Sequence, residues 1–113
     1  MKTHSSFSIY VDEGMKNLRH LKNYREIAKR VKEIVAEEGL NAKIYVFGSV
    51  VEGRYTAASD IDILIVMENM DGEKAAELKA KIYGRIDAPI EIHAVDENGY
   101  KWYKRFIDAC EEI

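Results

Sequence analysis

From Asp12 to Glu38 the apolar positions Met15, Leu18, Leu21, Tyr24, Ile27, Ala28, Val31, Ile34 and Val35 fall three and four residues apart. That spacing lines one stripe of a long helix over 12–38. Asp12 caps its start and Gly39 ends it. The other face carries Lys16, Arg19, Lys22, Lys29, Lys32 and Glu33, charges expected on a solvated helix face, with docking through the basic ones as the alternative. Ahead of the helix, Phe7, Ile9 and Val11 alternate with Ser8 and Tyr10, so residues 1–11 form either a short edge strand or an unstructured arm.

The period then changes. Lys43 to Phe47 is a β-branched and aromatic run that stops at Gly48, a strand running into a turn. Ile61 to Met67 is apolar on both faces except at Asp62, as a central strand covered on both sides would be. Asp71 and Gly72 open a helix with Ala75, Leu78 and Ile82 inward, closed by Gly84. In Pro89 to Val95, Ile90, Ile92 and Ala94 face one way and Glu91 and His93 the other. Over 97–112, Tyr100, Tyr103, Phe106, Ile107 and Cys110, with Ile113 just beyond, recur at helical spacing, which predicts a C-terminal helix whose stripe packs on the core. Trp102 lies off that stripe, where an exposed tryptophan suggests a protein contact. The order helix, strand, strand, helix, strand, helix predicts a mixed α/β (α+β) fold: a small mixed sheet with flanking helices, in one domain over 1–113 whose core spans 43–95.

Composition narrows the function classes. A chain of 113 residues holds one modest core, too small to enclose a deep two-walled cleft, so an enzyme on this scaffold needs a partner for its second wall. The single cysteine, Cys110, and a start without a basic-then-apolar pattern point to a reducing, cytoplasmic compartment, and no apolar run approaches the ~20 residues of a membrane span. Cys110 itself is expected in the core. Net charge is −3. Residues 1–32 carry eight bases and three acids, the remainder nine and seventeen, so nucleic-acid binding is disfavoured except through Lys16, Arg19 and Lys22.

Candidate chemistry sits in residues 47–66, FGSVVEGRYTAASDIDILIV. Gly48 to Gly53 fits the start of a Walker A loop, but Arg54 and Tyr55 stand where Lys and Ser or Thr are required. The Asp60 and Asp62 pair fails as a calcium loop, because Leu64 and Ile65 occupy a ligand position and the glycine position. What remains is Gly48-Ser49, ten residues, Asp60-Ile61-Asp62 at the head of a strand, and Glu91 in a third strand. Period-two alternation projects Asp60 and Asp62 to one side. Two carboxylates that close repel by about 1 kcal/mol or more, which a divalent cation relieves. Oxygen ligands suit Mg²⁺, and two ions about 3.5–4 Å apart stabilise both oxygens of an in-line phosphoryl displacement. Gly48 lets the backbone approach phosphate, Ser49 offers a hydroxyl and an N–H, and Gly53 and Ser59 shape the turn. His93, on the face of Glu91, is expected as a hydrogen-bonded structural histidine.

These residues resemble the minimal nucleotidyltransferases of the DNA polymerase β superfamily, over roughly Phe47 to His93. The resemblance implies a polymerase β-like nucleotidyltransferase fold, two Mg²⁺ ions, and transfer of a nucleoside monophosphate, most often AMP from ATP, to a hydroxyl. It implies Asp60, Asp62 and Glu91 as metal ligands and catalytic groups, Glu91 also as base, and Gly48, Ser49, Gly53 and Ser59 at the nucleotide. Many relatives carry Arg just before the second glycine, whereas here Glu52 precedes Gly53 and Arg54 follows it. Members of this size resemble the antitoxin half of two-protein modules that adenylylate a tyrosine on an all-helical HEPN-type partner. The alternative is a non-catalytic nucleotide-binding or antitoxin module that occludes its partner. Oligomeric state is open.

Overall fold

The computed structural model describes residues 6–113. Helix α1 (Ser6–Lys22) runs into α2 (Tyr24–Glu37), and β1 (Ala42–Phe47) follows. A single-turn helix α3 (Ser49–Glu52) leads through a loop to β2 (Ile61–Met67), then α4 (Gly72–Arg85) and β3 (Ile90–Val95). Helix α5 (Glu97–Lys104) and β4 (Cys110–Glu112) complete the described chain. The sheet order is β3-β2-β1-β4. β1 is antiparallel to β2 and β4, and β2 is parallel to β3. The expected mixed sheet with flanking helices is therefore the observed one.

Alternation along the strands builds the core on one face. Ile44 and Val46, Ile61, Ile63, Ile65 and Met67, and Ile90 and Ile92 are buried together with Leu21, Tyr24, Ile27, Val31 and Ile34 of the helical pair and Leu78 and Ile82 of α4. Truncating such a side chain to alanine typically costs about 2–5 kcal/mol. The other face holds Phe47, Asp62, Glu91 and His93.

The N-terminal helix differs from the sequence expectation in two ways. Residues 6–11 are helical, not an edge strand or arm, so Asp12 lies inside α1 and does not cap it; residues 1–5 lie outside the described part of the chain. The stripe over 12–38 is also two helices, broken at Asn23, whose side-chain amide donates to the Arg19 carbonyl at 3.0 Å. The Asn23 backbone N–H reaches the same carbonyl at 3.1 Å, and the break lies in the backbone there, whose φ of −101° and ψ of 29° depart from helical values. Past the break the stripe is buried; before it, Phe7, Tyr10, Val11, Met15 and Leu18 are exposed. The radius of gyration, 15.6 Å, exceeds the ~13 Å of a compact chain this long, because α1 projects. Its inner side is fastened by Asn17 Nδ2 to the Ala57 carbonyl at 3.3 Å and by Lys16 to Asp87 at 3.1 Å.

Gly39, at φ 74°, closes α2 with its N–H on the Ala36 carbonyl and that of Leu40 on Val35, a left-handed stop that glycine makes at little strain. At the free edge of β3 the Tyr83 hydroxyl accepts the Ile92 N–H at 2.8 Å, which blunts that edge.

The C-terminal segment is the third departure. The predicted helix over 97–112 ends at Lys104, and the chain turns back to pair Cys110 and Glu111 with Phe47 and Val46. Cys110 is consequently exposed on an outer strand, not buried in the core, and Phe106 is exposed too. Strand β4 is pinned from α2: Tyr24 donates its hydroxyl to Glu111 at 3.0 Å, and Arg25 grips the same carboxylate with Nε and with Nη2 at 3.0 Å. Three residues of strand need such an anchor.

The Arg25 guanidinium beside Glu111 holds its carboxyl below the usual carboxylate range. A lowered folded-state value adds stability above the unfolded value, ~4.3, and that stability disappears as pH falls through the folded one. Urea denaturation between roughly pH 5 and pH 3 should therefore show a steeper loss for the parent than for Glu111→Gln, by a small margin because Arg25 is solvated. Parallel curves would refute the anchor.

Candidate functional site

Strand register assembles the site. Phe47 pairs with Asp62, and Asp62 lies beside Glu91, so the three form a row across β1, β2 and β3; the next row holds Tyr45, Leu64 and His93. Each of these side chains points away from the core because its neighbours, Ile61, Ile63, Ile90 and Ile92, point into it. The parallel register starts where the Ile61 N–H donates to the Pro89 carbonyl at 2.7 Å.

Ligand atoms of Asp62, Glu91 and His93 all lie within 4.8 Å of one another. His93 Nε2 stands 3.8 Å from Asp62 Oδ1 and 3.9 Å from Glu91 Oε1. Asp62 and His93 are half-buried, at 24% and 22% side-chain exposure, whereas Glu91 is 54% exposed. The triad is thus rooted at Asp62 and open at Glu91. Two carboxylates and an imidazole suit a divalent cation.

His93 is hydrogen-bonded, as expected, and it also stands within reach of both carboxylates. Its Nδ1 lies 3.0 Å from the Tyr103 hydroxyl, and its ring packs against Phe47 at 5.4 Å and Tyr103 at 5.4 Å between centroids. The Tyr103 contact at Nδ1 fixes the ring so that Nε2 faces the two carboxylates, an arrangement common behind metal-binding histidines. The period-two spacing of Glu91 and His93 was the sequence signal. Tyr103 had no such signal, because only the docking of α5 brings it there.

That docking is local chemistry. The Asp96 side chain accepts the Gly99 N–H at 2.9 Å and caps α5. A Cβ on Gly99 would lie 2.7 Å from that of Val95, so glycine lets the helix sit on the strand it follows.

Gly48 has the strictest requirement. Its φ of 84° and ψ of −157° lie where side chains are strained, and a Cβ there would collide with Asp62 Oδ2. The backbone therefore crosses directly beside the carboxylate. Ser49 opens α3, and Gly53 closes it in a left-handed conformation at φ 72°. Ser59 closes the following loop, its hydroxyl accepting the Thr56 N–H at 2.9 Å and its N–H donating to the Thr56 carbonyl at 3.0 Å. Arg54 pairs with Glu52 at 2.9 Å.

Asp60 stands apart from the triad. Strand β2 begins at Ile61, so Asp60 belongs to the loop, is exposed, and is not among the three clustered groups. Strand alternation does not govern a side chain one residue outside the strand.

The family model for the nucleotidyltransferase domain matches residues 25–110. Among solved structures, a candidate nucleotidyltransferase from Sulfolobus solfataricus is 24% identical and superposes over 89% of this chain and 84% of its own, with a TM-score of 0.55. That likeness is one of fold. Another candidate nucleotidyltransferase is 33% identical over 83% of this chain and 97% of its own, with a TM-score of 0.46. No curated protein sequence matches significantly.

If Gly48 is glycine because of Asp62, the two positions are coupled. Gly48→Ala should destabilise by about 1–3 kcal/mol in urea. In an Asp62→Ala background the same change should cost less, by about 1 kcal/mol, the remainder being backbone strain. Additive effects would mean that the carboxylate is not the obstacle.

Proposed function

The chain belongs to the nucleotidyltransferase domain family, and we propose that it moves AMP from ATP to a hydroxyl on a partner protein in a Mg²⁺-dependent reaction. The observation that carries this reading is the pairing of Asp62 with Glu91 across parallel strands, beside a backbone turn at Gly48 that admits no side chain. In the reaction the acceptor oxygen attacks the α-phosphorus, the bond from that phosphorus to the bridging oxygen of the β-phosphate breaks, and pyrophosphate leaves. The acceptor proton goes to Glu91, whose exposure leaves it reachable from outside.

Asp62 and Glu91, with Asp60 from the adjoining loop, would hold Mg²⁺. When bound, the metal neutralises charge on the triphosphate and on the departing pyrophosphate. Asp62 is the more enclosed carboxylate of the set, at 24% side-chain exposure against 54% for Glu91. Tyr103 orients the His93 ring. Gly48 and Ser49 form the phosphate-side turn, and Gly53 and Ser59 hold the loop between β1 and β2 in shape.

The acceptor in this reading is a tyrosine on an all-helical HEPN-type partner, silenced by adenylylation, which makes the chain an antitoxin that acts in the cytoplasm. Two features favour a protein acceptor. The triad opens to solvent at Glu91, and α1 presents the exposed stripe Phe7, Tyr10, Val11, Met15 and Leu18, which a helical partner would cover. Among the described residues no helix is long and apolar enough to cross a membrane.

Incubation with α-labelled ATP, Mg²⁺ and a helical protein encoded beside this chain should label that protein, and chelation should stop it. Asp62→Ala should lower the rate at least ~100-fold, as loss of a preorganised catalytic group does. Glu91→Gln should lower it ~100-fold or more as loss of a base. Equal labelling by the Asp60→Ala/Asp62→Ala double variant would overturn the reading. Equal neutralisation of the partner by that variant would favour the module that works by occlusion.

A further inference from the structure

Two large aromatic side chains near the site are exposed without any role in the core. Trp102 is 56% and Phe106 68% exposed, and their rings lie 4.8 Å apart. Tyr103 meets Trp102 edge-on at 5.2 Å between centroids. The indole is thus braced on two sides, so its remaining surface is a preorganised platform. It borders a groove of about 380 Å³ whose walls also include Gly48, Arg54 and Asp108.

We propose that this groove seats the nucleobase of the donor nucleotide, with Trp102 and Phe106 as the stacking surface. The inference rests on the nucleotidyltransfer reading and adds to it the donor's base site. Three observations carry it.

Position comes first. The row Phe47, Asp62, Glu91 runs across three strands, and the groove lies at the Phe47 end, opposite the exposed Glu91. Gly48 itself lines the groove, so a nucleotide with its phosphates at that turn can reach the groove with its base. The acceptor then has the Glu91 side to itself. Tyr103 joins the two regions, lining the groove with its ring while its hydroxyl meets His93.

Size comes second. The volume matches pockets for small molecules, about 300–1,000 Å³, whereas a docked protein covers roughly 800 Å² of each partner. Chemistry comes third. Aromatic faces stack on any base, and the rim adds a guanidinium at Arg54 and a carboxylate at Asp108, a donor and an acceptor for the polar edge of a base. Arg54 is steadied by Glu52 at 2.9 Å.

Trp102 is the single tryptophan in the chain, so its fluorescence reports on the groove alone. The full chain is titrated with ATP and with inorganic triphosphate, each with Mg²⁺, and binding is measured in parallel by calorimetry. ATP should change the Trp102 emission and triphosphate should not, although both bind. Trp102→Ala should weaken ATP about tenfold or more, with the loss confined to ligands that carry a base, and Trp102→Phe should recover most of it. Circular dichroism identifies a variant that has failed to fold, and the parent's fluorescence still decides the question in that case. If ATP binds calorimetrically with unchanged emission, or if folded Trp102→Ala binds ATP as the parent does, the groove is not the base site, while the nucleotidyltransfer reading survives. If the parent binds neither ATP nor triphosphate, both fall. A change in emission on adding the helical partner but not ATP would assign the shelf to protein contact and overturn the proposal.

Discussion

Strand β2 has a sheet neighbour on each side, the main core under one face and α5 over part of the other, so almost every side chain it carries is buried. Asp62 is the exception that this burial makes useful. With Ile61 and Ile63 fixed in the core, the intervening residue has only one direction to point. Register with β1 and β3 then decides what it meets: Phe47 on one side and Glu91 on the other. A slip of one residue would send Asp62 into the core and Ile61 or Ile63 to the site. The apolar residues of β2 thus hold the geometry of the carboxylate pair.

The same economy extends outward from that strand. Gly48 lets the chain leave β1 hard against Asp62, and Gly99 lets α5 lie hard against β3. Each missing side chain brings a different part of the site close. The first brings a backbone turn to the carboxylate, and the second brings Tyr103 to His93 and sets Trp102 beside the groove. Helix α5 has no fully buried residue, so its placement depends on the Asp96 cap, on Gly99 and on ring contacts rather than on a large apolar face. The anchor of β4 on Tyr24 and Arg25 follows the same logic at the other edge of the sheet.

The parts of the molecule legible in the sequence were those where a local period repeats long enough to leave one interpretation. Ile61 to Met67 is a strand at those bounds, β3 has its predicted faces, and α4 lies within a residue or so of its predicted limits. What was misread lacked that redundancy. Helical spacing continues through Asn23, yet a single residue whose backbone leaves helical dihedrals divides the helix. The tail has helical spacing as far as Ile113, yet three residues of it gain more by pairing with β1 than by extending α5. Phe7, Ile9 and Val11 alternate as a strand would, but helical backbone continued from α1 overrides three residues of alternation.

By itself the sequence determined the facing of Asp62, Glu91 and His93, because alternation within a strand is a property of the backbone and needs no partner. It also carried the Gly48-Ser49 turn, and with these the family. Tertiary structure decided which of the marked groups meet. Asp60 falls in the loop before the strand, outside the three-residue cluster, while α5 returns a tyrosine hydroxyl to the His93 ring. Contacts between residues distant along the chain depend on how whole elements pack, and no local period encodes that packing.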